Sequence, residues 1–136
     1  MNHLKATVTN LKKFDGVSEI EFETPHHKLS MVALEINDDL KTGSKLILQA
    51  KATNIALATQ IEEFISISNQ LHVNVVEVEY GEILCSVKLQ FEDTLLESII
   101  SKKSASKMDI KVGNTLIALI KASDLSIVSF DRLKGL

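Results

Sequence analysis

Two hydroxyls with two lysines between them, Ser101-Lys102-Lys103-Ser104, follow an apolar run ending at Ile99-Ile100. Ser101 stands where an N-cap would, because Ser104, Ala105, Ser106 and Lys107 can continue as one short helical turn. Such a turn offers unpaired N–H groups and the positive end of the peptide dipole, and hydroxyls at Ncap and N3 add donors. A glycine turn comes next, Lys111-Val112-Gly113-Asn114, and then a second apolar run, Ile117–Ile120, that ends in Lys121 and Ser123. Donors and cations without a carboxylate suit a tetrahedral oxyanion and suit a metal cation badly. The same residues also read as a capped surface turn, so the rest of the chain has to decide between the two.

The elements that would position these groups occur twice. Asn2-His3-Leu4-Lys5-Ala6-Thr7-Val8 resembles Asn69-Gln70-Leu71-His72-Val73-Asn74-Val75, at an offset of 67 (2 to 69). Lys51-Ala52-Thr53-Asn54-Ile55 matches Lys121-Ala122-Ser123-Asp124-Leu125, and Gly43 matches Gly113, at an offset of 70 (43 to 113). The second copy has therefore gained three residues between its strands and its glycine turn. We expect two repeats, residues 1–62 and 63–136. Each reads mainly as strands: 4–12, a hairpin turn at Phe14-Asp15-Gly16, 17–23 alternating with Glu19, Glu21 and Glu23, then 29–34, 45–50 and 53–58. Residues 59–68 read as a short turn feeding the second copy. About five short strands and one helical turn per repeat describe an all-β chain with short helical turns, folded as two tandem OB-like small β-barrels.

Composition narrows the chemistry. The 136 residues carry a net charge of −3 and only 4% aromatics, whereas an OB barrel that binds single-stranded nucleic acid wants a basic groove with stacking rings. No apolar run approaches the ~18 residues of a membrane span, and no targeting segment opens the sequence. The single Cys85 falls on the apolar phase Ile83, Cys85, Val87, Leu89, Phe91 and reads as a small buried hydrophobe in a cytoplasmic protein. His3, His26, His27 and His72 read as exposed, without zinc-ligand spacing, and no nucleophile–base pair or P-loop is present. An enzyme is not expected.

Asn-x-Leu at each repeat start, Ile-Ser-x-x-Ser-Ala (100–105), Lys-x-Gly (111–113) and Ala-Leu-Ile-Lys-Ala-Ser (118–123) resemble the molybdate-binding repeat of the molbindins, also called the TOBE domain. The resemblance covers essentially the whole chain as a tandem pair, strongly in the second copy and partly in the first. It implies an oxyanion, molybdate or tungstate, held between repeats at contacts between barrels of an oligomer. Carried over residue by residue, it selects Ser66, Ser68, Ser101, Ser104, the backbone at Ile120, and Lys121. The family usually has Ser-Ala-Arg-Asn where Ser66-Ile67-Ser68-Asn69 stands here, so a forked cationic donor is missing. In the first copy Leu34 and Asn37 replace the two hydroxyls, leaving a weaker site of Asn37 and Lys51.

The expectation is thus a cytoplasmic protein that binds the oxyanion reversibly for storage, homeostasis or sensing. A homo-oligomer follows, with a trimer favoured over a dimer, and no nucleic-acid or membrane partner. The alternatives are a site-dead module of the same fold that acts through protein partners, and, behind it, an OB-type nucleic-acid binder.

Overall fold

The computed structural model describes residues 1–34, 36 and 39–128. Among these residues, ten strands form two five-stranded antiparallel sheets. In chain order they are β1 (Asn2–Phe14), β2 (Val17–Glu23), β3 (Lys28–Leu34), β4 (Lys45–Ala50), β5 (Ala56–Ala58), β6 (Asn69–Tyr80), β7 (Leu84–Phe91), β8 (Thr94–Ser101), β9 (Thr115–Ile120) and β10 (Ser126–Ile127). One helix, α1 (Lys102–Met108), follows β8, and 3-10 turns at Ala52–Asn54 and Ala122–Asp124 precede β5 and β10.

Strict alternation drives each sheet to curl around its apolar face. On β2, Ser18, Ile20 and Phe22 are buried while Glu19, Glu21 and Glu23 face water. On β7, Cys85, Val87, Leu89 and Phe91 are buried, and burial pushes the Cys85 thiol up, so it sits protonated in the core. The duplication is visible at the level of single defects. β1 bulges between Val8 and Asn10 and β6 between Val75 and Glu77. Gly43 and Gly113 take φ of 92° and 94°, which only glycine adopts freely, and their N–H groups donate to Val8 and Val75 carbonyls at 2.8 Å.

Strand order reveals an exchange that the repeat pattern hid. The first sheet runs β10-β4-β1-β2-β3 and the second β5-β9-β6-β7-β8, so each repeat's last strand pairs in the other repeat's sheet. Strands of three and two residues can be recruited this way because their pairing partners, β9 and β4, present a free edge. Periodicity could place β5 as a strand; it carried no information about which sheet it joins.

Two asparagines lock the halves together. The Asn69 side chain, 1% exposed, donates from Nδ2 to the Ser30 carbonyl (2.8 Å) and accepts the Ser30 N–H at Oδ1 (2.7 Å). Asn2 does the same to Glu97, at 2.8 and 2.7 Å. Both target residues sit on the last strand of a sheet, β3 or β8, and the amide supplies the pairing that a neighbouring strand would have given. The Ser98 hydroxyl adds a bond of 2.6 Å to the Ile55 carbonyl.

A third contact joins the β2–β3 turn to Glu92, which starts the β7–β8 turn in the left-handed region (φ 51°). Glu92 Oε2 accepts from Thr24 Oγ1 (2.8 Å), the His26 N–H (2.9 Å) and His27 Nδ1 (2.8 Å). Burial pushes this carboxyl up, but the bonds from His27, Thr24 and His26 outweigh it and hold it below the usual carboxylate range. His3, His26 and His72 are exposed as expected from the sequence. His27 is not: it is half-buried, because its ring bonds Glu92 and packs edge-on against Phe91 at 4.6 Å between centroids.

Replacing Asn69 with Ala should cost about 2 kcal/mol in urea unfolding, since it orphans both backbone groups of Ser30. Asn69→Asp should do no better, because a carboxylate cannot donate to the Ser30 carbonyl; a variant as stable as the parent would refute the clamp. Glu92→Gln should destabilise by about 2 kcal/mol near neutral pH. Because the folded carboxyl lies below its unfolded value, that stabilisation is complete above the ordinary carboxylate range and is lost as pH falls through the lowered value. Parent and variant stabilities, followed by denaturant titration at stepped pH, should therefore converge in acid.

Candidate functional site

The residues singled out for oxyanion chemistry fall into two groups at opposite ends of the second sheet. β6 and β9 pair from Asn69↔Ile120 to Asn74↔Thr115, so Lys121, Ser66 and Ser68 lie at the Asn69 end, beside the asparagine clamp. β7 and β8 pair from Phe91↔Thr94 to Leu84↔Ser101, which puts Ser101 and Ser104 at the far end with Tyr80. The twelve residues of β6, at about 3.3 Å each, separate the two groups. We call the first place the junction, since both halves meet there, and the second the pole.

At the pole the local chemistry follows the sequence closely. Ser101 is the N-cap of α1: its hydroxyl accepts the Ser104 N–H (3.1 Å) and donates to Ser104 Oγ (3.0 Å). The Ser101 hydroxyl is thus committed to the turn, and the Ser104 hydroxyl proton is left for an outside acceptor. Lys102, Lys103 and both serines are exposed. α1 is held from behind by buried Ala105 and Ile110, and by Tyr80, whose hydroxyl donates to the Ile110 carbonyl at 2.9 Å, with the Ala105 carbonyl at 3.3 Å. Tyr80 carried no functional signal in the sequence; only the fold brings it under α1.

At the junction Lys121 caps the 3-10 turn Ala122–Asp124 with its carbonyl, which accepts the Asp124 N–H at 2.9 Å, and its side chain is exposed. Lys51 repeats this geometry before Ala52–Asn54, accepting the Asn54 N–H at 2.9 Å. Ile120 is fully buried, so only its backbone is available. Ser66 and Ser68 are exposed in the segment that leads into β6, which Gln70 fastens through the Glu62 and Ile67 carbonyls at 2.8 and 2.9 Å. Of the first-repeat pair, Lys51 lies at this junction, and Asn37 lies outside the described residues.

Neither group makes a closed shell inside one chain. The side chains of Ser101, Lys102, Lys103, Ser104, Ser66, Ser68, Lys51 and Lys121 are all exposed, so a bound dianion would keep a wet face until another surface covered it. Clefts occur elsewhere, between and within the halves. One of about 490 Å³ is lined by His3 and Lys5 but also by Glu92 and Asp93, a mixed field that disfavours an anion. Among the described residues no group of three or more His, Cys, Asp or Glu is placed to hold a metal cation, and no helix is long and apolar enough to cross a membrane.

Comparison with known proteins agrees with this architecture. Residues 65–127 match the family model of the TOBE domain. The molybdenum import ATP-binding protein ModC of Brucella abortus (strain 2308) is 34% identical over 94 residues, which make up 68% of this chain and 25% of ModC. ModC of Brucella suis biovar 1 (strain 1330) matches equally. The chain spans about a quarter of the length of these relatives. Among solved structures, the cytoplasmic molybdate-binding protein ModG, in a crystal form with molybdate bound, superimposes with a TM-score of 0.86 at 26% identity, covering 93% of this chain and 94% of ModG. Residues 65–127 therefore carry the likeness to the TOBE domain, and the whole chain carries the tandem OB-like fold seen in ModG.

Proposed function

We propose that this protein binds molybdate, or tungstate, reversibly and without chemistry, serving storage, homeostasis or sensing of the oxyanion in the cytoplasm. The observation that carries the reading is the superposition, over nearly the full length of both chains, on a protein whose structure holds molybdate. Repeats 1–62 and 63–136 would each contribute. In the second, Ser104 and Ser101 offer hydroxyls at the pole, while Lys121, the Ile120 backbone, Ser66 and Ser68 face outward at the junction. In the first, Leu34 stands exposed where Ser101 would be, so its pole has no hydroxyl at that position; Lys51 keeps the junction cation.

Because the pole and the junction lie apart, we assign them as two half-sites, each completed by a surface of another copy of the chain. A homo-oligomer supplies those surfaces, a trimer being favoured over a dimer. Recognition would rest on hydroxyl and N–H donors around a dianion, with lysine supplying charge and cavity size separating molybdate from sulfate. Nothing in this scheme breaks or makes a covalent bond, so we assign no catalytic role.

Isothermal titration of the full chain tests the assignment. Micromolar or tighter heat with molybdate and little with sulfate is expected. Lys121→Ala and Ser104→Ala should each remove part of the bound molybdate, because they sit in different half-sites. If either change alone abolished all binding, one shell shared across copies would replace the two. No heat with any oxyanion would leave the fold and point to a module that acts through protein partners.

A further inference from the structure

We propose that His27 is a proton-responsive latch between the two halves, giving up one of its two inter-half hydrogen bonds and strengthening the other when it gains a second proton. Its two ring nitrogens have opposite partners. Nδ1 lies 2.8 Å from Glu92 Oε2, a carboxylate oxygen that can only accept, so Nδ1 carries the hydrogen. Nε2 lies 3.2 Å from the backbone N of His72, a donor, so Nε2 presents its lone pair. Neutral imidazole in this one tautomer satisfies both contacts.

The place of His72 explains why a side chain is needed there. β7 pairs with β6 only from Asn74 onward, so residues 69–73 of β6 have β9 on one side and, among the described residues, no strand on the other. Asn69 turns its side chain to Ser30 across that open edge, and the His27 ring takes the His72 N–H. The ring is fixed by Phe91, edge-on at 4.6 Å, and by the tilted His72 ring at 5.8 Å. A second proton would have to bind Nε2, where it would point at another N–H. The His72 bond would break, while the Nδ1–H bond to Glu92 would become charge-assisted and tighten. The β2–β3 turn would stay on Glu92, and the start of β6 would be released to water.

The charged and titratable groups around His27 favour this exchange over simple detachment. Glu92 and Asp93 face it from the β7–β8 turn, and His72 from β6. His26 and Lys28 flank it on its own turn, and His3 and Lys5 line the cleft on the far side of Glu92. Glu92 is the group in direct contact, and it holds the turn through Thr24 and the His26 N–H whatever the state of the ring.

Nitrogen-15 NMR of the intact chain tests the latch without any substitution. At about pH 8 the His27 ring should show a protonated Nδ1 and a bare Nε2. As acidification adds the second proton to the His27 ring, the His72 amide should move in step with it and lose about fivefold or more of its exchange protection. His27→Phe keeps a ring against Phe91 and should leave the His72 amide unprotected and insensitive to that pH change. An Nε2–H tautomer at the higher pH, or a His72 amide that stays still while the His27 ring protonates, would overturn the proposal. A consequence for ligand rests on the oxyanion reading: molybdate affinity at the junction should weaken about fivefold over the same pH range in the parent and not in His27→Phe. A moving His72 amide with unchanged affinity would uphold the latch and count against the junction as the ligand site.

Discussion

Everything in this molecule depends on two asparagine side chains closing two open sheet edges. β3 and β8 are last in their sheets, and each exposes backbone N–H and carbonyl groups on its outer side. Asn69 and Asn2 satisfy one residue's pair on each edge, Ser30 and Glu97, from the opposite half, with paired bonds of 2.7–2.8 Å. An amide is the smallest side chain that can donate and accept in the spacing of a peptide group, so no other residue of similar size would serve as well. Fixing those two contacts sets how the halves meet. It sets in turn where β5 and β10 can cross, and where Lys51 and Lys121 emerge.

The exchange of β5 and β10 has an energetic logic. A repeat of about 65 residues buries little core alone. Giving its last strand to its neighbour, and receiving one back, makes each sheet's completion conditional on the other. The apolar residues behind the exchanged strands, Ile55 and Leu125, are both buried, so undoing one crossover would expose a core side chain as well as strand edges. The two repeats thus behave as one folded body, and the exposed serines and lysines proposed to meet an oxyanion inherit its support.

Much of this was legible in the residues. Alternation gave the strands of each repeat, the glycines at 43 and 113 gave the equivalent turns, and Ser101 through Ser104 gave the N-cap with the bond it makes. The duplication itself could be read from the Asn-x-Leu starts, though not the reason for the asparagines, because their partners lie 39 and 95 positions away, outside any local pattern, and belong to the other half. Crossing of β5 was hidden for the same reason: three residues of strand look alike whichever sheet they join. His27 was read as exposed because its turn is polar, and its burial comes from Glu92, a long-range partner that no spacing announces. The separation of the pole from the junction was equally out of reach, since the motif residues that sit together in sequence follow strands running in opposite directions.

We propose that oxyanion is held between copies of this chain, at half-sites that no single chain closes. Native mass spectrometry of the full chain, sprayed with and without molybdate, tests it most directly by counting chains and anions in the same particle. The expected result is an assembly of several chains that retains molybdate, with loss of the anion whenever the assembly is dissociated into single chains. A lone chain that carries molybdate as firmly as the assembly would contradict it.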